Sequence, residues 1–254
     1  MLAELLSFNL FALFLVFARV GAAMMLLPGF GEAYVAPRAR LIIALAIAVI
    51  VAPLIANELP TLPDSPLELL LILTGEIGIG LFFGALGRIF LAGLFIAGML
   101  ISYQIGLANA FVYDPTAAQQ GSIVGNFLTT TGLLLLFVTN LHHLTLSSII
   151  QSYGLFGAGK LPPIDDFAYT MLGAVSQSFV LAMEIAAPFF VIGMVFYLGL
   201  GLLGRLMPQV QVFFIAMPVQ IGIGFLVLAL TVIAAIGWFL GQFREGFFSV
   251  FGVG

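Results

Sequence analysis

A chain of 254 residues that is 63% hydrophobic and 7% charged cannot clothe a water-facing surface, which excludes an ordinary soluble domain. Seven Lys and Arg against 11 Asp and Glu give a net charge of −4, with the cations scattered, so no basic stripe exists to neutralise nucleic-acid phosphates. The lack of cysteine removes disulfides, thiolate metal sites and thiol chemistry. The composition is that of an integral membrane or membrane-complex protein, and the length suits one compact helical unit over residues 1–254.

The first apolar stretch, about 5–27, lacks the positive n-region and small-residue cleavage site of a secretory signal. Its first cation is Arg19, near the far end of the run, and it reads as a retained helix. Stretch 41–56 is short for a crossing, which takes roughly 20 apolar residues. Segment 57–66, NELPTLPDSP, carries three prolines and reads as a stiff exposed loop. The next stretch, Leu67 to Tyr103, would be about 55 Å long as one helix. It is expected to be a hairpin, a kinked helix, or a helix that does not simply cross lipid. Stretches near 123–153, 169–203 and 212–240 complete an all-α pattern of hydrophobic hairpins and long kinked helices. The distribution of positive charge fails to orient them. Arg38 and Arg40 mark one side and the acidic 57–66 loop the other, but strict alternation then strands Arg205. A simple serpentine through the bilayer is therefore the wrong picture.

Three charges interrupt apolar helices: Glu76, Arg88 and Glu184. Each costs at least ~2.5–3.5 kcal/mol at bilayer depth unless it snorkels or meets protein or water. Glu76 and Arg88 would lie about 18 Å apart on one straight helix, so their partners are expected on other helices or other subunits. Glu76, Gly80, Gly84 and Arg88 recur every fourth residue on one face, and Gly80 with Gly84 forms a GxxxG pair. Gly98, Ser102, Gly106 and Ala110 repeat that spacing. Two small-residue ridges predict close helix packing, either within the chain or against a partner. Glu184 stands four residues before Pro188, whose missing N–H frees the Glu184 carbonyl and predicts a kink.

His142 and His143 point about 100° apart on a helix and lack further ligands, so no metal site is expected. His143 reads as a buried or interfacial polar contact. No nucleophile elbow, metalloprotease helix or phosphate loop is present, so neither an enzyme nor a cofactor is expected. In GRLMPQVQVF, Pro208 is expected to end or kink a helix, leaving carbonyls for Arg205, Gln209 and Gln211 to satisfy.

Several segments, in this order and spacing, resemble the FliR family of flagellar export-gate components and their type III secretion counterparts. They are Pro28 with Pro37-Arg38-Ala39-Arg40, GEIGIGLFFG at 75–84, AGMLISYQIGLANAFVYDP at 97–115, LLFVTNLHHLTL at 135–146, and LGLGLLGRLMPQVQVFFIAMP at 198–218. His143 occupies the histidine position of the family's Gly-His, and Gln211 stands where the family commonly has asparagine. The resemblance implies a subunit that assembles with FliP and FliQ, alongside FlhB and FlhA, in the bacterial inner membrane within the flagellar basal body. Unfolded exported proteins would pass through its pore. It implies that the 106–122 loop, with Gly106, Asn109, Phe111, Asp114, Pro115, Gln119 and Gln120, projects into that pore. It also makes the Arg205–Gln211 segment a buried polar turn locked between packed helices. The alternatives are the same role in a virulence injectisome and, from another class, a transporter or channel with Glu76, Arg88 and Glu184 as coupling residues.

Overall fold

A computed structural model describes residues 2–56, 59–107, 122–159, 162–207 and 212–250. Among these residues every regular element is a helix: α1 (Leu2–Leu26), α2 (Pro37–Val51), α3 (Pro66–Gln104), α4 (Ile123–Val138), α5 (Leu141–Leu155), α6 (Ile164–Leu206) and α7 (Val212–Val250). Helix starts follow local chemistry. Pro37 opens α2 and Pro66 opens α3, where a missing N–H costs nothing. Asp165 and Asp166 sit in the first turn of α6 and Arg205 in its last, matching the helix dipole at both ends. Ser122 accepts the Gly125 N–H at 2.9 Å and so caps α4.

The Leu67–Tyr103 stretch is one continuous helix, which corrects the hairpin alternative. Its 39 residues extend about 58 Å. A helix keeps every backbone group bonded internally, which apolar surroundings demand, and Gly78, Gly80, Gly84 and Gly87 face neighbours instead of breaking it. The 123–153 stretch is divided instead, at Asn140, which adopts a left-handed backbone with φ 60°. Helix α6 runs through Pro188 and α7 through Pro218. Among the described residues three helices are long and apolar enough to cross a membrane, Pro66–Gln104, Ile164–Leu206 and Ile215–Val250, or four if the bent pair Ile123–Val138 and Leu141–Leu155 counts as one span.

The chain divides into two compact units, and α3, α6 and α7 each contribute to both. The first draws on the described residues of 1–89, 136–174 and 243–254, the second on those of 90–135 and 175–242. In the first unit α2 packs on α1 through Ala44, Ala48 and Val51, small enough to bring the two axes close. The α1 side chains Leu15, Val16 and Met24 are fully buried, as are Phe243 and Phe247 of α7. In the second unit Leu94, Leu128, Ala182 and Phe239 form the dry centre, one from each contributing helix. Outward faces stay apolar: Val191, Met194, Leu202 and Leu206 of α6 and Leu230 and Ile233 of α7 are all more than 60% exposed.

Candidate functional site: glycine ridges and a buried ion pair

The first unit is held by a charge pair without water. Arg19 of α1 is 0% exposed and Glu76 of α3 is 1% exposed. The guanidinium grips the carboxylate with two bonds, Nε to Oε2 at 2.7 Å and Nη2 to Oε1 at 3.1 Å. Its remaining donors reach the end of α5 and the turn beyond. Nη1 donates to Ser152 Oγ at 3.0 Å and Nη2 to the Phe156 carbonyl at 3.0 Å. Ser152 is free to accept because its own proton goes to the Ile149 carbonyl at 2.6 Å. The Tyr153 ring lies under the guanidinium carbon at 3.7 Å, adding a cation–π contact. Glu76 accepts two further bonds, from the Gly159 N–H at 3.2 Å and from the Tyr153 hydroxyl at 3.5 Å. A buried pair stabilises only when its spare donors and lone pairs are also engaged; here four of the five guanidinium N–H groups donate and both carboxylate oxygens accept a further bond. The pair joins α1, α3 and α5.

Close backbone approach makes the geometry possible. A side chain on Gly80 would strike the Arg19 carbonyl oxygen, and a Cβ on Gly84 would sit 2.7 Å from the Ala23 carbonyl. The Gly80–Gly84 ridge therefore receives α1 of the same chain, and Glu76, one turn earlier, meets Arg19. At the other end of the ridge Arg88 pairs with Glu32 in the loop after α1, and its side chain is 46% exposed. That loop is also pinned by Arg40, which donates to the Phe30 and Glu32 carbonyls at 2.9 and 3.1 Å.

The second ridge works in the second unit. Gly98 abuts the Gly125 backbone of α4, and Ser102, 3% exposed, bonds the capping Ser122 at 2.7 Å. Ser122 donates on to the Gly98 carbonyl at 3.2 Å, so one hydroxyl both starts α4 and fastens it to α3. Gly106 follows α3 with φ 82°, a backbone that favours glycine.

Other anticipated residues do not converge. Glu184 is half-buried on α6, remote in sequence from the ion pair. His143 is exposed in this chain because α5 turns its Thr145, Ser148 and Ser152 face inward, so of the buried or interfacial contact expected the buried alternative is not formed here. Arg205 is exposed at the end of α6. The rest of that turn (Pro208, Gln209 and Gln211) and of the pore loop (Asn109, Phe111, Asp114, Pro115, Gln119 and Gln120) lies outside the described residues. Arg19, Ser152, Tyr153 and Glu32 were not anticipated. Arg19 carried a signal: a cation in an apolar run needs a counter-ion as much as Glu76 does.

These features define an all-α, membrane-associated protein whose core is closed by small-residue ridges and whose long helices keep apolar faces outward. The sequence profile of the bacterial export proteins, family 1, matches residues 10–246. The chain is 37% identical to flagellar biosynthetic protein FliR of Caulobacter vibrioides, over 94% of this chain and 95% of that protein. Identity to the Bacillus subtilis protein of the same name is 31%, over 85% of this chain and 84% of that one. With Yop proteins translocation protein T of Yersinia pestis it is 30%, over 74% of this chain and 72% of the other. The chain belongs to the bacterial export proteins, family 1, the FliR family, as the resemblance read from its segments implied.

Proposed function

We propose that this chain is a non-enzymatic subunit of the flagellar type III protein-export gate, assembling in the inner membrane with FliP and FliQ homologues around a pore for unfolded substrates. FlhB and FlhA homologues would be its further neighbours in the basal body. The supporting observation is the uncovered surface of α6. Between Val175 and Leu206, 49% and 76% exposed, large apolar side chains stay outside the protein core. That length is about 47 Å as straight helix, against a hydrocarbon core of about 30 Å. Submerging it whole would need a tilt near 50°, steeper than the ~0–40° of membrane helices. Lipid thus covers part of the face, and other apolar subunits cover the rest. The flagellar branch is favoured over the injectisome because the flagellar relative from Caulobacter vibrioides matches 94% of the chain and the Yersinia pestis protein 74%.

On this reading the 106–122 loop is the chain's contribution to the pore constriction, and the Arg205–Gln211 segment is a joint that other subunits bury. The test is co-expression with FliP and FliQ homologues, followed by native mass measurement of the detergent-purified complex. Recovery of this chain only as a lone species would refute the assembly. Robust ion or solute flux through the chain reconstituted alone would favour a transporter instead. Loss of effector secretion with intact motility on deletion would assign the injectisome branch.

A further inference from the structure

Three helices of the second unit converge on one buried amide. Gln220, on α7, is 6% exposed. Its Nε2 donates to the Gln104 carbonyl oxygen at 2.8 Å and to the Tyr197 hydroxyl of α6 at 3.2 Å. A carbonyl oxygen can only accept, so the amide must turn its nitrogen toward Gln104, and both of its protons are then used. Gln104 is the last residue of α3, and its carbonyl belongs to the final turn, where no intrahelical donor remains. Beyond it the Gly106 N–H reaches back to the Tyr103 carbonyl at 3.3 Å. A Cβ on Gly106 would come 3.3 Å from the Gln220 carboxamide carbon, so the glycine lets the amide sit directly over the turn. Ile105, 3% exposed, is wedged against Gly224 on α7. The adjoining cavity, lined by Ile105, Phe189, Gly193, Phe196 and Gly224 among others, is only about 10 Å³. A water needs at least about 10–15 Å³ and several polar partners, so none fits on that side of the amide, whereas Gln104 and Tyr197 also border an open pocket with Met194 and Leu198.

We propose that Gln220 is a lock that fixes where the chain leaves α3, and hence a positioning residue for the segment beginning at Gly106. The functional part rests on the reading of that segment as part of the export constriction. The lock itself rests on described residues alone: one amide holds the end of α3 to α6 and α7 through the Gln104 carbonyl and the Tyr197 hydroxyl.

The chain has no cysteine, so a single Ile105→Cys reports opening of this turn when assembled membranes are treated with a maleimide. With Gln220 present labelling is slow. Gln220→Met keeps the length but removes both donors, leaving the Gln104 carbonyl without this partner, and accelerates labelling about fivefold to thirtyfold. Tyr197→Phe spares the bond to Gln104 and gives a smaller rise. An unchanged rate in Gln220→Met complexes that still co-purify overturns the lock. If Gln220→Met does not assemble, Gln220→Asn, whose amide is one methylene too short to reach the Gln104 carbonyl, carries the test, and an unchanged rate there overturns the lock; an unchanged rate in Tyr197→Phe removes only the tie to α6. Leakage of small solutes across the closed complex is the second readout. Faster labelling with leakage supports the positioning role. Faster labelling without leakage leaves the lock standing and sinks the reading of the following segment as a constriction.

Discussion

Replacing Glu76 with leucine strands a guanidinium at 0% exposure. Arg19 would keep its bonds to Ser152 and Phe156 but lose both carboxylate contacts, and solvent cannot reach it. Breaking a buried pair from one side costs ~3–5 kcal/mol, a large share of the ~5–15 kcal/mol that holds a domain together. The melting temperature of the detergent-purified chain, followed by fluorescence-detected gel filtration, should fall by on the order of 10 °C. The double variant Arg19→Met with Glu76→Leu removes the stranded charge. It leaves the Phe156 carbonyl, the Gly159 N–H and the Tyr153 hydroxyl without their partners, while Ser152 keeps its bond to Ile149. At about 1 kcal/mol for each of these three groups, the double variant should lie about 3 kcal/mol below the parent and above the single variant, in which the stranded charge adds to the loss of two of them. Glu32→Ala is the control. Its partner Arg88 is 46% exposed, and an exposed pair contributes less than about 1 kcal/mol. A Glu76→Leu chain as stable as the parent, or a double variant no better than the single, would refute the account of the pair as a sealed strut. Motility retained by the double variant would further separate this strut from an ion-coupling role.

Gly84→Leu should prevent the chain from accumulating even before assembly, because its Cβ would press 2.7 Å from the Ala23 carbonyl of α1. Normal yield and gel-filtration behaviour of that variant would show that α1 does not seat on this ridge. Asn140→Gly should raise stability slightly, by at most about 1 kcal/mol, since φ 60° suits glycine, whereas Asn140→Val should lower it by ~1–2 kcal/mol. The two melting curves compared with the parent decide it, and equal effects of glycine and valine would contradict the left-handed break between α4 and α5.

Much of the local architecture was legible because its causes are local. An apolar run in a nearly uncharged chain must bond its own backbone, so helices follow from composition alone. Four-residue spacing placed Glu76, Gly80 and Gly84 on one face, and that face is indeed where a backbone closes in. Spacing is silent about what arrives there. A hairpin and a straight helix were equally compatible with the length of Leu67–Tyr103. Continuity was decided by neighbours that fit against the glycines instead of letting them turn.

The sequence by itself determined an all-α membrane class, the first small-residue ridge with the Gly98–Ser102 part of the second, and the need of Glu76 for a partner outside its own helix. Only the tertiary structure decided that this partner is Arg19, 57 positions earlier, and that Gly80 and Gly84 receive α1 of the same chain. It also turned His143 and Arg205 outward and made Gln220 the donor for the end of α3. Helical period and side-chain chemistry act over a few residues and can be read along the chain. Pairing depends on which surfaces meet after folding, where a buried charge or an unmade carbonyl is satisfied by whatever donor or acceptor the packing brings within about 3 Å.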